Sequence, residues 1–180
     1  VASIVFEDMP VGQFGARMRQ LSFGVGRPAG SGSDRLETMT RAVSMIPGAG
    51  EFALATDIVR RRIGPGREVA ENLHGPELKS DSEASLDQLE AELPNVSRVN
   101  LVVAWFGSDL RCGECLVRPG VESADKATVP LAWSVAGVNR GDAYVVSTTS
   151  GRSNFGGTPS DNSVRQAVEM LAARGYHVTL

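Results

Sequence analysis

Cysteine and histidine are scarce in this chain, at two residues each, and neither sign of charge is in marked excess. The formal net charge of −3 gives no reason to expect nucleic-acid binding. Arg60, Arg61, Arg62 and Arg67 form one basic cluster. It lacks interleaved aromatic residues, so it reads as a solvated surface rather than a phosphate site. No apolar stretch approaches the roughly 18 residues that a membrane span requires. The apolar start Val1–Phe6 has neither a basic leader nor a cleavage pattern, which excludes a signal peptide. The chain does not begin with Met, and it is expected to be a piece of something longer.

What is present suffices for a core: 42% of 180 residues are hydrophobic, room for one domain or two small ones. Residues 1–6 and 20–26 read as strands, the second with alternating Leu21, Phe23 and Val25. The Pro/Gly/Ser-rich stretch 27–33 has linker composition and marks a boundary. Asp34 is placed to cap a helix carrying Leu36, Met39, Val43 and Ile46 at helical spacing, stopped by Pro47-Gly48. Residues 51–59 read as extended, and 64–82 as irregular and polar. A second amphipathic helix is expected over 82–93, with Leu86, Leu89 and Leu93 on one face and Pro94 closing it.

The most informative run is 98–106, apolar and β-branched, which reads as a strand buried on both faces of a parallel sheet. Trp105, Phe106, Asp109, Arg111 and the pair Cys112 and Cys115 follow at its C-terminal end, where α/β proteins bind ligands. Farther on, 117–121, 133–138 and 144–147 are β-prone, and 141–143 could equally start a helical turn. In Thr158-Pro159-Ser160-Asp161, Thr158 suits an N-cap and Pro159 the first helical position. Val164, Ala167, Val168, Leu171 and Ala172 trace one stripe, Gly175 ends the helix left-handed, and 176–180 begin a strand. A strand, an excursion, a capped helix and a strand make a βαβ unit with parallel strands. Two strands cannot stand alone, so more are expected than the sequence was read to supply.

Two blocks carry a family resemblance. Val5-Phe6-Glu7-Asp8-Met9-Pro10 with the stretch Gln13 to Phe23 resembles the end of a tail-hub domain in long-tailed phages and gene transfer agents. The family's usual pattern has Asn at Ala16 and Ile-Pro at Met18-Arg19. The second block is the Trp-Phe-Gly-x-Asp-Leu-Arg-Cys-Gly-x-Cys of 105–115, then Trp133-Ser134-Val135-Ala136-Gly137, then Phe155-Gly156-Gly157-Thr158-Pro159-Ser160-Asp161. It is similar to the start of the TIM-barrel-like domain in the large baseplate hub (megatron-type) protein of gene transfer agents. The resemblance implies an α/β fold: a β-rich hub segment over 1–27, a linker and helical connecting region over 28–96, and over 97–180 the first βαβ part of a TIM-barrel-like domain, incomplete in this chain. On this mapping 98–106 is the first barrel strand and 176–180 begins the second.

The resemblance further implies a structural component of a phage-like tail tip, bound to other tail and baseplate proteins and homo-oligomeric in the particle. A host envelope glycan is a partner of its glycoside-hydrolase-like barrel; no cofactor, nucleic acid or membrane span is implied. The alternative is the N-terminal part of a glycoside hydrolase acting on cell-wall or surface polysaccharide. Such hydrolysis needs two carboxylates about 5–5.5 Å apart for retention or about 6.5–9.5 Å for inversion. In barrel hydrolases these follow later strands, so no catalytic acid or base is assigned here. Trp105 offers a stacking platform for a sugar or simple packing. Asp109 and Arg111 offer substrate contact or a local ion pair. For Cys112 and Cys115, an extracellular particle favours a local disulfide over free thiols or a metal. A structural zinc site needs four ligands, and His74 and His177 are not arranged as the second half. Gly156-Gly157-Thr158-Pro159 reads as a tight turn before an anion site, since it lacks a phosphate-loop lysine.

Overall fold

A computed structural model describes residues 35–46 and 50–180. The expected strands at 1–6 and 20–26, the linker at 27–33, the Asp34 cap and the Pro47-Gly48 stop lie outside the described residues.

The molecule is mixed α/β, with a few helices and several small sheets. Its ordering element is a three-stranded parallel sheet made of β1 (Ala42–Met45), β4 (Arg98–Leu101) and β14 (His177–Thr179), with β4 in the centre. Between β1 and β4 the chain forms a hairpin, β2 (Arg60–Gly64) and β3 (Arg67–Ala70), and then helix α2 (Asp81–Glu92). A short helical turn, α1 (Leu36–Met39), precedes β1. Between β4 and β14 lies a long loop-rich excursion of two-residue strands. These are β5 (Phe106–Gly107), β6 (Val117–Arg118), β7 (Gly120–Val121), β8 (Thr128–Val129), β9 (Ser134–Val135), β10 (Val138–Asn139), β11 (Tyr144–Val145), β12 (Thr148–Thr149) and β13 (Arg152–Ser153). Helix α3 (Asp161–Ala173) leads into β14.

Side chains alternate along a strand, so each strand of the parallel sheet has two faces. Val99 and Leu101 of β4 point into the core with Val43, Met45 and Val178. Leu86 of α2 and Leu171 of α3 pack against that same face, and Leu54 and Ala167 extend it. Ala42, Ser44, Arg98, Asn100, His177 and Thr179 occupy the other face, all exposed, and line an open depression of about 530 Å³. A second core, formed by Phe52, Ala55, Val59, Val121, Trp133 and Val135, lies within the loop-rich part. Phe52 and Leu54, two residues apart, serve one core each.

Helix α2 begins as its sequence dictates. Ser80 accepts from the Glu83 amide (3.3 Å) while the Glu83 carboxylate accepts from the Ser80 amide (3.4 Å), a complete capping box. Helix α3 is capped by Ser160, whose Oγ accepts from Ser163 N (3.2 Å). This corrects the expected Thr158 cap. Thr158 is fully buried, and its hydroxyl accepts from Gly120 N (3.0 Å) instead. Gly175 has φ +86°, the left-handed stop that the sequence indicates.

Three further expectations are corrected. The helix expected over 34–46 stops at Met39, and 42–45 form a strand parallel to β4. Residues 51–59 hold no strand, with a turn over 51–54 and a bend at 56–57, whereas 67–70, expected to be irregular, pair with 60–64. The run 98–106 is not one strand buried on both faces. Its pairing in the parallel sheet ends at Leu101, Phe106 pairs instead with Arg118 in a separate hairpin, and Arg98 and Asn100 are exposed while Val99 and Leu101 are buried. The expected parallel pairing of 98–101 with the last strand is present, with Val178 opposite Val99. The sheet also has a third strand on its other side, which the sequence had been read as helix.

Candidate functional site

Beyond the C-terminal end of β4 the chain leaves the sheet and forms the β5–β6 hairpin, which carries the residues the sequence singles out. Trp105 is 42% exposed and flanks an apolar groove of about 580 Å³ with Val135, Val164, Val168 and Leu180. The groove lies where the segment after β4, helix α3 and the residue after β14 meet. Asp109 and Arg111 are not among its lining residues, so Trp105 on one side and Asp109 with Arg111 on the other do not converge on one site.

Asp109 and Arg111 bind each other. The guanidinium donates to both carboxylate oxygens, Nε to Oδ1 at 3.0 Å and Nη2 to Oδ2 at 2.7 Å, and the Arg111 amide adds a third bond to Oδ1 at 2.8 Å. Those bonds, the side chain's first and the amide's second, hold the Asp109 carboxyl below its ordinary range. The carboxylate therefore stays ionised, an acceptor that cannot give a proton near neutrality. The hairpin tip turns through an Arg111 O to Glu114 N bond (3.0 Å). Cys112 is exposed and Cys115 half-buried, both as free thiols. Gly107 faces Cys115 so closely that a Cβ there would stand 2.9 Å from the sulfur.

At the root of this hairpin an aromatic group forms. The Phe106 ring meets Phe155 edge-on (6.2 Å between centroids) and Tyr144 at a tilt (5.8 Å), and the Arg118 guanidinium lies 4.0 Å over Tyr144. Gly120 is where Phe106 presses closest to the backbone; a Cβ there would sit 2.6 Å from the ring.

The most heavily charged place in the molecule was not singled out from the sequence. Glu51 is fully buried, and Arg140 reaches it through two bonds, Nη1 to Oε1 at 3.0 Å and Nη2 to Oε2 at 2.6 Å. The Glu122 amide donates to Oε1 (2.8 Å), and Lys126 Nζ stands 3.4 Å from Oε2. Lys126 also bonds Glu71 (2.8 Å) and Glu122 (2.6 Å). Burial alone would lower the Lys126 pKa; the bond to Glu122, then the charge of Glu51 and the bond to Glu71, outweigh it and hold the ammonium above its ordinary value. Every charge in this knot has a partner, and the Glu51 side chain has no exposed surface. The knot braces loops, and its partly exposed carboxylates, Glu71 and Glu122, are both tied to Lys126. Glu51 and Arg140 are 89 residues apart, so no local spacing could have announced the pair.

Residues 156–160 form no turn and run without regular structure into α3, which corrects the tight-turn reading of the glycine pair. A Cβ on Gly157 would lie 2.6 Å from Glu51 Cγ and 2.8 Å from Gly120 O, so the glycine serves close packing. Among the described residues no group of three or more His, Cys, Asp and Glu could hold a metal ion. Among them, also, no helix is long and apolar enough to cross a membrane. No family model and no curated protein sequence matches this chain.

Proposed function

We propose that the chain is a structural segment of a phage-like tail baseplate hub, leading from the hub into a TIM-barrel-like, glycoside-hydrolase-like domain used at the host envelope. The observation that supports this reading is the winding of the parallel sheet. β1, β4 and β14 lie side by side in chain order, and α2 and α3 intervene between them and cover one face. A doubly wound sheet divides its helices between two faces and reverses its strand order. A barrel wall keeps chain order and puts every helix outside. The bare face with Ser44, Arg98, Asn100, His177 and Thr179 is then the inner side of the wall. On this reading β1 opens the barrel, one strand earlier than the sequence resemblance places it.

The work of this segment is assembly. Asp109 is tied to Arg111, and Glu51 is sealed in its ionic knot, so neither is placed to flank a glycosidic bond. The test is particle composition. Antibody raised to the chain should label the tail tip of purified phage-like particles from cells that encode it. Particles free of the chain, or an isolated chain that releases sugar from envelope polysaccharide, would overturn the reading.

A further inference from the structure

The β2–β3 hairpin is an arm. Every residue of β2 is exposed, as are Arg67, Glu68 and Val69 of β3, so neither face of the ribbon rests on the body. A two-stranded hairpin alone is at best marginal in water. This one is held at its root: β2 also pairs with β8, the Arg62 amide bonds Ala127 O (3.0 Å), and Glu71 joins the Lys126 knot. Buried Asn72 completes the anchor, accepting from Val59 N (2.8 Å) and donating to Ala55 O and Asp57 O (3.1 and 2.9 Å). The arm is thus preset rather than loose.

Its charge is one-sided. Positions 60 to 70 hold four arginines and a single glutamate in a chain whose net charge is −3. A solubilising surface mixes both signs; a patch of one sign steers an oppositely charged partner. Arg61 and Arg62 are partly spent on Glu71 (3.3 Å) and Glu68 (3.8 Å). Arg60 and Arg67 have no ion pair among the described residues. Ile63 and Val69, 46% and 43% exposed, add apolar surface to the ribbon.

The complement lies in the same chain. Positions 71 to 92 hold seven acids and one lysine. Glu71 belongs to the Lys126 knot, and Asp87 and Glu90 are bound by Arg174, while Glu77 and Glu92 stay exposed with no ion pair among the described residues. We infer that the arm docks on the acidic α2 surface of a second copy of this chain. Because arm and helix are different elements, the contact is heterologous and runs head to tail, the kind that builds a ring or a filament. The inference stands independently of the proposed place in a baseplate.

Sedimentation velocity on the chain tests it. Self-association is expected at low salt and should weaken at least about tenfold near 1 M salt, where the Debye length is about 3 Å. Arg60→Gln with Arg67→Gln spoils the arm; Glu77→Gln with Glu92→Gln spoils the acidic surface. Each variant should sediment as a monomer with an unchanged circular dichroism spectrum. Mixed in equal amounts they should form dimers and stop there, since one intact arm meets one intact helix. A chain that stays monomeric at every salt, association that survives the arm substitutions, or a mixture that remains monomeric would overturn the inference. So would a monomer whose arm binds only an anionic polymer.

Discussion

Glu51 is the residue on which most else converges. Its side chain closes the ionic knot, and its backbone oxygen accepts from Ser160 N (2.9 Å) at the start of α3. Removing one partner of a buried ion pair strands the other without solvent, at a cost of about 3–5 kcal/mol. Glu51→Gln should therefore lower stability by that order, because Arg140 loses its buried counter-charge and Lys126 loses one of three. Urea unfolding at neutral pH measures it; a loss below about 1 kcal/mol, the worth of an exposed pair, would refute the buried-knot account. Lys126 supplies the pH dependence. Its pKa is raised on folding, so its contribution is complete below the unfolded value of about 10.4 and is lost as pH rises through the folded value. The stability gap between the wild type and Lys126→Met should stay level from neutrality to about pH 10 and narrow above it. A gap that narrows on acidification alone would contradict this assignment.

The two cysteines allow a kinetic test at the same scale. Cys112 is exposed at the hairpin tip and Cys115 is half-buried with its sulfur against Gly107. A thiol reagent should modify Cys112 first, with two phases resolved by mass spectrometry. Equal rates would show that the tip opens faster than the reagent attacks.

At the scale of elements, helices were the most legible parts. The Leu86 and Leu171 stripes face the sheet as their spacing indicates, whereas the Ser80–Glu83 capping box, one residue outside the expected helix, emerges only in the structure. Ser80→Ala removes that cap and should cost about 1 kcal/mol; Leu171→Ala opens a cavity and should cost about 2–5 kcal/mol. Thermal melts of the two variants should keep that order. Strand β1 was illegible for a physical reason. Leu36, Met39, Val43 and Ile46 satisfy a helical period, yet Val43 and Met45 also satisfy a strand's alternation, and the neighbour Arg98–Leu101 decides between them. The cap of α3 was misplaced by two residues because Thr158 and Ser160 are both good caps. Only the Gly120 amide, 38 residues away, claims the threonine. For the candidate site, the Asp109–Arg111 pair was readable from proximity. The Glu51 knot, assembled from five positions spread between 51 and 140, was not.

The molecule joins a loop-rich core to a parallel sheet that, among the described residues, is bare on one face and unpaired along both outer edges. Parallel sheets are ordinarily covered on both faces, so this arrangement is the part of the molecule with most to gain from added structure. Backbone exchange reads that directly. β4 is bonded on both sides, whereas among the described residues β1 and β14 each have a partner on one side only. In the isolated chain, amides of Arg98–Leu101 should exchange most slowly within the sheet, and outward-facing amides of Ala42–Met45 and His177–Thr179 should exchange quickly. If further strands continue the wall in an assembled particle, those outward amides gain carbonyl partners, and their exchange should slow in particles to the range of β4. Outward amides that exchange equally fast in the isolated chain and in the particle would mean that no strand is added at either edge. The proposed barrel wall would then fail, whatever the fate of the arm.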